Sequence, residues 1–239
     1  APSGRMPVIV AGGTGGILFH EACGHGLEAA YVAKRSSTFA SKLGEQVASD
    51  LVTYIDDGTL PNQYGSLLID DEGEPARSNV LIQNGRLSSY MVDRLNGRRL
   101  GLGVTGSARR QSYKFAPTSR MTNTYLAPGA HKPEAVIANT EYALYAKTVG
   151  PGQVNPATGN FSFAVVEAYM VRNGQIAEPV RGAILTGNGL ETLQQVDMVA
   201  DDLTFSGSMC GASSGKIPVT VGQPTVRLAA MNVNGRKGA

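Results

Sequence analysis

The Asn-Gly dipeptides at Asn84-Gly85 and Asn173-Gly174 each stand between short apolar runs. Val80 to Gln83 and Leu87 to Met91 flank the first, and Val165 to Arg172 and Ile176 to Val180 flank the second. Asn-Gly in that setting is the strongest short-range hairpin signal, because both residues tolerate the positive φ that a two-residue hairpin turn requires. Two antiparallel hairpins are therefore expected. Further strands are expected at Val8 to Ala11, at Leu51 to Ile55 before the turn signal Asp56-Asp57-Gly58, and at Ser66 to Ile69 before Asp70-Asp71-Glu72-Gly73. The two Asp-Asp pairs read as turn residues rather than as acid/base pairs. With 30 glycines and 12 prolines in 239 residues, the punctuation favours many short strands over a helical bundle.

Helices are expected to be few. One begins near Ile17, after the glycine run Gly12 to Gly16, and carries His20 to Tyr31; others fall at about Pro133 to Tyr142 and Asn188 to Val196. Arg94 to Asn123 is polar, weakly periodic and reads as a long loop. The expected fold class is α+β, an antiparallel-sheet-rich domain with few helices and a metal-binding helix near the N-terminus, with residues 1–239 forming a single domain.

Composition excludes several functions. Hydrophobic residues make up 42% of the chain and charged residues 17%, enough apolar material for a packed core. The net charge of +2 offers no nucleic-acid footprint, which needs a concentrated basic face. No apolar run approaches the ~20 residues of a membrane helix, and the start of the chain has no secretory h-region. Two cysteines, Cys23 and Cys210, fit free thiols in a reducing cytoplasm better than a disulfide framework. Neither Gly12 to Gly16 nor Gly211 to Lys216 has the spacing of a phosphate-binding loop.

The chemistry concentrates in His20-Glu21-Ala22-Cys23-Gly24-His25, which holds two of the three histidines. Zinc peptidases commonly space such histidines i, i+4. Here the spacing is i, i+5, which on an ideal helix puts the rings ~140° apart. A π turn brings positions i and i+5 together, so the motif predicts a distorted helix, with Gly24 giving the backbone freedom to distort. Neutral imidazoles suit zinc and leave its charge available to acidify water. A glutamate beside the first ligand, Glu21, is placed to take that water's proton and later protonate the leaving amine, and is not expected to ligate. A third protein ligand is required. Cys23, Cys210, His131, Glu28 and other acidic residues all remain candidates on the residues alone.

The stretch His20 to Glu28 resembles the metal helix of the TldD/PmbA family of metalloproteases, also labelled modulators of DNA gyrase, on its TldD side. Val47 to Asp50, Asp56 to Thr59, Ile69 to Gly73, Asn79 to Ile82, Arg120 to Tyr125, Gly152 to Val154, Glu167 to Tyr169, Glu191 to Gln195 and Val221 to Thr225 resemble that family in the same order. The resemblance covers nearly the whole chain but only the C-terminal half of a typical member. It implies one zinc per chain held by His20, His25 and Cys210, with Glu21 as general base, hydrolysing unfolded or flexible peptides. It implies a dimer: a homodimer, a heterodimer with a PmbA-type subunit, or association with a chain supplying the N-terminal half. One departure is Glu28-Ala29-Ala30, where the family usually continues Glu-Gly-Asp. In the polar stretch, Arg109, Arg110 and Tyr113 are candidates to contact substrate, as an oxyanion donor or a carboxylate grip. The alternatives are a non-catalytic regulatory subunit acting through a protein partner, and a thiol enzyme pairing Cys210 with a histidine.

Overall fold

The computed structural model describes residues 1–235. In chain order the strands begin with β1 (Gly4–Val10), β2 (Tyr54–Asp57), β3 (Ser78–Gln83), β4 (Arg86–Leu87) and β5 (Ala108–Arg109). There follow β6 (Thr118–Ser119), β7 (Asn123–Leu126), β8 (Tyr142–Val154), β9 (Asn160–Arg172) and β10 (Gln175–Val180). The last are β11 (Ala183–Asn188), β12 (Val196–Val199), β13 (Thr204–Ala212), β14 (Gly215–Gln223) and β15 (Val226–Gly235). The helices are short: α1 (Ile17–Phe19), α2 (Ala29–Val32), α3 (Arg94–Leu100), α4 (Pro133–Ala138) and α5 (Gly189–Gln194). The fold is α+β and sheet-rich, as expected.

Strands β1, β8, β9, β11 and β15 pair in that order, and β15 returns to pair with β1, closing a barrel. Closure removes the free edges of these strands. Every pairing in the ring is antiparallel except β1 with β8, where Val8 lies opposite Leu144. Alternation along β9 turns Phe161, Phe163 and Val165 inward. A second, open sheet runs β13-β14-β7-β2-β3-β4, and β5 and β6 form a small ribbon. Between barrel and open sheet lies the helical run that follows β1. One apolar core joins all three, with Val8, Val10, Leu144 and Phe163 from the barrel, Tyr54, Leu81 and Val219 from the sheet, and Leu18, Phe19 and Leu27 from the run.

Both expected hairpins are present. Asn84 and Gly85 have φ of 48° and 78°, and Asn173 and Gly174 have 49° and 74°, the positive pair that type I′ turns demand. α4 starts at Pro133, and Asn188 caps α5 by accepting from the Leu190 N–H.

Three local expectations are corrected. Ser66 to Ile69 forms no strand, only a single bridge from Ile69 to Pro75, because the Asp70 carboxylate accepts from the N–H groups of Glu72, Glu74 and Ala108 and folds the segment into a turn. Asp56 and Asp57 are not turn residues but buried members of β2, where Asp56 accepts from the Thr122 N–H and hydroxyl. The stretch from Arg94 to Asn123 is not one loop. Asp93 caps α3 by accepting from the Asn96 N–H, Gly101 ends that helix in the left-handed region, and β5 and β6 follow.

Candidate metal centre

The run after β1 changes pitch three times. A 3₁₀ turn (Gly13–Gly16) leads into α1, then a π turn (His20–Gly24), then a second 3₁₀ turn (His25–Leu27). The His25 N–H donates to the His20 carbonyl, five residues back, which is the π hydrogen bond that the i, i+5 spacing demands. Gly24 contributes differently from expectation. Its φ of −53° and ψ of −56° are ordinary right-handed values that any residue adopts. What requires glycine is space, since a Cβ there would run into the Met121 sulfur. A Cβ on Gly16 would likewise meet the Gly222 backbone at 2.7 Å. Small residues thus seat the run directly on β14 and its surroundings.

The π turn brings the rings of His20 and His25 to a centroid separation of 5.2 Å at an interplanar angle of 84°. Cys210 reaches them from β13, the end strand of the open sheet. Its Sγ lies 3.4 Å from His20 Nε2 and 3.3 Å from His25 Nε2. All three side chains are buried, and their donor atoms lie within 4.8 Å of one another. Nitrogen and sulfur bound to one tetrahedral zinc stand ~3.6 Å apart, so the cluster matches the size of that ion, and two imidazoles with a thiolate match its preference.

Electrostatics favour the ligating forms at sulfur. Burial alone would push the Cys210 thiol up, but His20 and His25 beside it hold it down at about 4. Burial would lower His25, yet Glu28 and Cys210 raise it well above the ordinary histidine value. The Glu21 carboxyl is raised by burial against the pull of His20 and His25. Its Oε2 stands 3.8 Å from His25 Nε2. Glu21 and the cluster line a cavity of about 370 Å³ whose walls include Ile17, Tyr31, Gln153 and Val221.

The other candidates lie elsewhere. Cys23 is fully buried, hydrogen-bonded to the Phe19 carbonyl at 3.1 Å, and burial raises its thiol. The His131 Nδ1 meets the Val199 carbonyl at 3.1 Å. Arg109 is buried and donates to the Met121 carbonyl at 2.6 Å. The Arg110 guanidinium stands 3.5 Å from Asp71, and Tyr113 is 82% exposed. None of these three lines the cavity beside Cys210. Reasoning from residue types overlooked Thr124, whose hydroxyl lies 3.3 Å from His20 Nδ1, and Arg120, whose Nη2 donates to the Cys210 carbonyl at 2.7 Å. Neither has a local signal, because each meets a partner 90 or more residues away in the chain.

Fold and site together define a sheet-rich α+β domain with a possible His-His-Cys metal site beside a carboxylate. The sequence profile of the PmbA/TldA metallopeptidase C-terminal domain matches residues 3–235, and the chain belongs to this family. It is 46% identical over 237 residues to a metalloprotease TldD homolog of Haemophilus influenzae, covering 98% of this chain and 49% of that protein. It is 32% identical over 234 residues to a zinc metalloprotease TldD homolog of Saccharolobus solfataricus, covering 98% and 52%. The crystal structure of TldE from Thermococcus kodakarensis shares the fold, with a TM-score of 0.81 at 22% identity over 98% of this chain and 51% of that one. The chain spans about half the length of the relatives it matches.

Proposed function

We propose that this chain is the metal-bearing, catalytic half of a zinc-dependent peptidase that hydrolyses unfolded or flexible peptides. The observation that carries the reading is the convergence of His20, His25 and Cys210 at the wall of a cavity that also holds Glu21. His20, His25 and Cys210 would hold one zinc ion. Zinc at that position supplies a Lewis acid that polarises the scissile carbonyl and acidifies water. Glu21 takes the proton of the attacking water and returns it to the leaving amine, a role suited to a carboxyl whose proton affinity is already raised by burial. Among the described residues β13 pairs only with β14, so its other edge can accept an extended peptide through backbone hydrogen bonds, which suits loose sequence selectivity. The name of the S. solfataricus relative supports zinc. The chain works in a two-subunit assembly, as homodimer, as heterodimer with a PmbA-type subunit, or with a chain supplying the other half, in keeping with its spanning about half the length of its relatives. No helix among the described residues is long and apolar enough to cross a membrane, and both cysteines are free, which fits a reducing cytoplasm.

The test is elemental analysis of purified protein, wild type beside Cys210→Ala, followed by peptide cleavage with Glu21→Gln. About one zinc per chain in the wild type and far less in the variant is expected, with cleavage lost in Glu21→Gln. Cleavage that survives Glu21→Gln overturns the general-base role, and wild type that takes up no zinc brings the regulatory reading forward. One observation favours a second chemistry: a Cys210 thiol held at about 4 beside His25 also describes a thiol nucleophile. A chelator separates them, since a thiol enzyme stays active and the metallopeptidase does not.

A further inference from the structure

The cavity side of the cluster holds Glu21. Its interior side holds a second carboxylate, Glu28, three residues after His25, a spacing that already allows the two to share a helical face. Glu28 leaves the helix, with φ of −73° and ψ of 123°, and bridges to Met91 before α2 begins. Its Oε1 stands 3.3 Å from His25 Nδ1, the ring nitrogen that points away from Cys210. The same oxygen lies 3.7 Å from Arg120 Nε, with side chains 1% and 0% exposed. His25 Nδ1, Glu28 Oε1 and Arg120 Nε are all buried, and apart from these contacts among themselves they have no hydrogen-bond partner. Charged groups at that depth are tolerated only when they compensate one another.

Arg120 also reaches the other side of the cluster. Its Nη2 donates to the Cys210 carbonyl at 2.7 Å, and its Nη1 donates to the Ser214 hydroxyl at 2.8 Å and the Gly215 carbonyl at 3.0 Å. One guanidinium therefore touches both the carboxylate behind His25 and the main chain that carries Cys210. These two candidate ligands are 185 residues apart in the chain. His20 has a lighter support, the Thr124 hydroxyl at 3.3 Å from Nδ1.

We propose that Glu28 and Arg120 are positioning residues for the metal: Glu28 accepts the Nδ1–H of His25 and so turns the Nε2 lone pair toward the Cys210 sulfur, while Arg120 ties that carboxylate to the Cys210 backbone. The proposal rests on the metallopeptidase reading of the same site. Its physical basis is that the tautomer of a ligating histidine is set by the bond its other nitrogen makes, and that this outer bond restrains the ring. Glu28 is not itself a ligand, because it faces the far nitrogen.

The test is zinc affinity of the full chain, by competition with a chromophoric chelator, for wild type, Glu28→Gln, Glu28→Asp and Thr124→Val. Glu28→Gln is expected to weaken zinc by about 10- to 100-fold, with Glu28→Asp recovering part and Thr124→Val losing less. A purely structural role would lower the unfolding midpoint of the zinc-free protein while leaving zinc affinity within about threefold of wild type, and that result overturns the proposal. Should Glu28→Gln not fold, long-range ¹H–¹⁵N spectra of zinc-loaded wild type decide, since the chain has only three histidines. His25 protonated at Nδ1 supports the clamp, and His25 protonated at Nε2 overturns it. Wild type that binds no zinc overturns the metal reading and the clamp together, whereas zinc binding unchanged in Glu28→Gln overturns the clamp alone.

Discussion

Among the described residues the barrel strands contribute no buried polar side chain, whereas the open sheet buries Asp56, Asp57, Asn123, Thr124, Thr220 and Gln223. The difference follows from what each must hold. The barrel closes on itself, so its backbone groups pair strand to strand and its interior needs only apolar volume. The open sheet has edges and long crossings, and its polar side chains fasten the segments that pass over it. Asn123 accepts from the Gly65 N–H and donates to the Asp57 carbonyl, Thr220 accepts from the Tyr64 N–H, and Gln223 donates to the Ala11 carbonyl. Chemistry gathers where polar groups already have buried partners: the open sheet supplies Cys210 from β13 and the Thr124 hydroxyl beside His20, while both histidines come from the helical run.

The contrast is broken most sharply at the site. Glu21→Gln should reduce peptide cleavage by about 10²- to 10⁴-fold while zinc content stays at the wild-type value, as read by a fluorogenic peptide beside elemental analysis. A barrel substitution should do the reverse. Phe163→Ala, in the fully buried wall of β9, should cost about 3–5 kcal/mol in urea unfolding, with zinc affinity of the folded fraction unchanged. If Phe163→Ala instead abolished zinc binding in folded protein, scaffold and site would not be separable.

Asp56 sharpens the comparison through pH. Burial raises its carboxyl from 3.8 to about 7. The folded protein then holds that proton more tightly than the unfolded chain, so this group's contribution is present in full below about pH 4 and is lost as pH rises through about 7. Asp56→Asn keeps an oxygen for Thr122 and cannot ionise, so unfolding midpoints measured across pH 5 to 8 should fall less steeply than in wild type. The smallest expected effect is at Gly24→Ala, where the added methyl meets Met121 and should cost about 1–3 kcal/mol, read by thermal unfolding.

Much of this was legible in the residues. The Asn-Gly turns were readable because a hairpin turn is a local demand on two φ angles. The π turn was readable because an i, i+5 pair of histidines has few ways to share a face. Pro133 and Asn188 marked helix starts for equally local reasons. The six-stranded sheet was not legible, since β7 pairs with β14 across nearly a hundred residues and neither strand names its partner. Gly24 was read as a hinge when its neighbour Met121 is what excludes a side chain.

The sequence by itself determined that this is a strand-rich α+β chain with two histidines and a glutamate on one distorted turn, because those features depend on spacings of a few residues. Only the tertiary structure decided which cysteine faces those rings, that the barrel closes, and that Glu28 leaves the helix to stand behind His25. The first two are contacts between segments distant in the chain, and the third is fixed by the distant partners Met91 and Arg120, selected by burial and by the pairing of polar groups that no local spacing records.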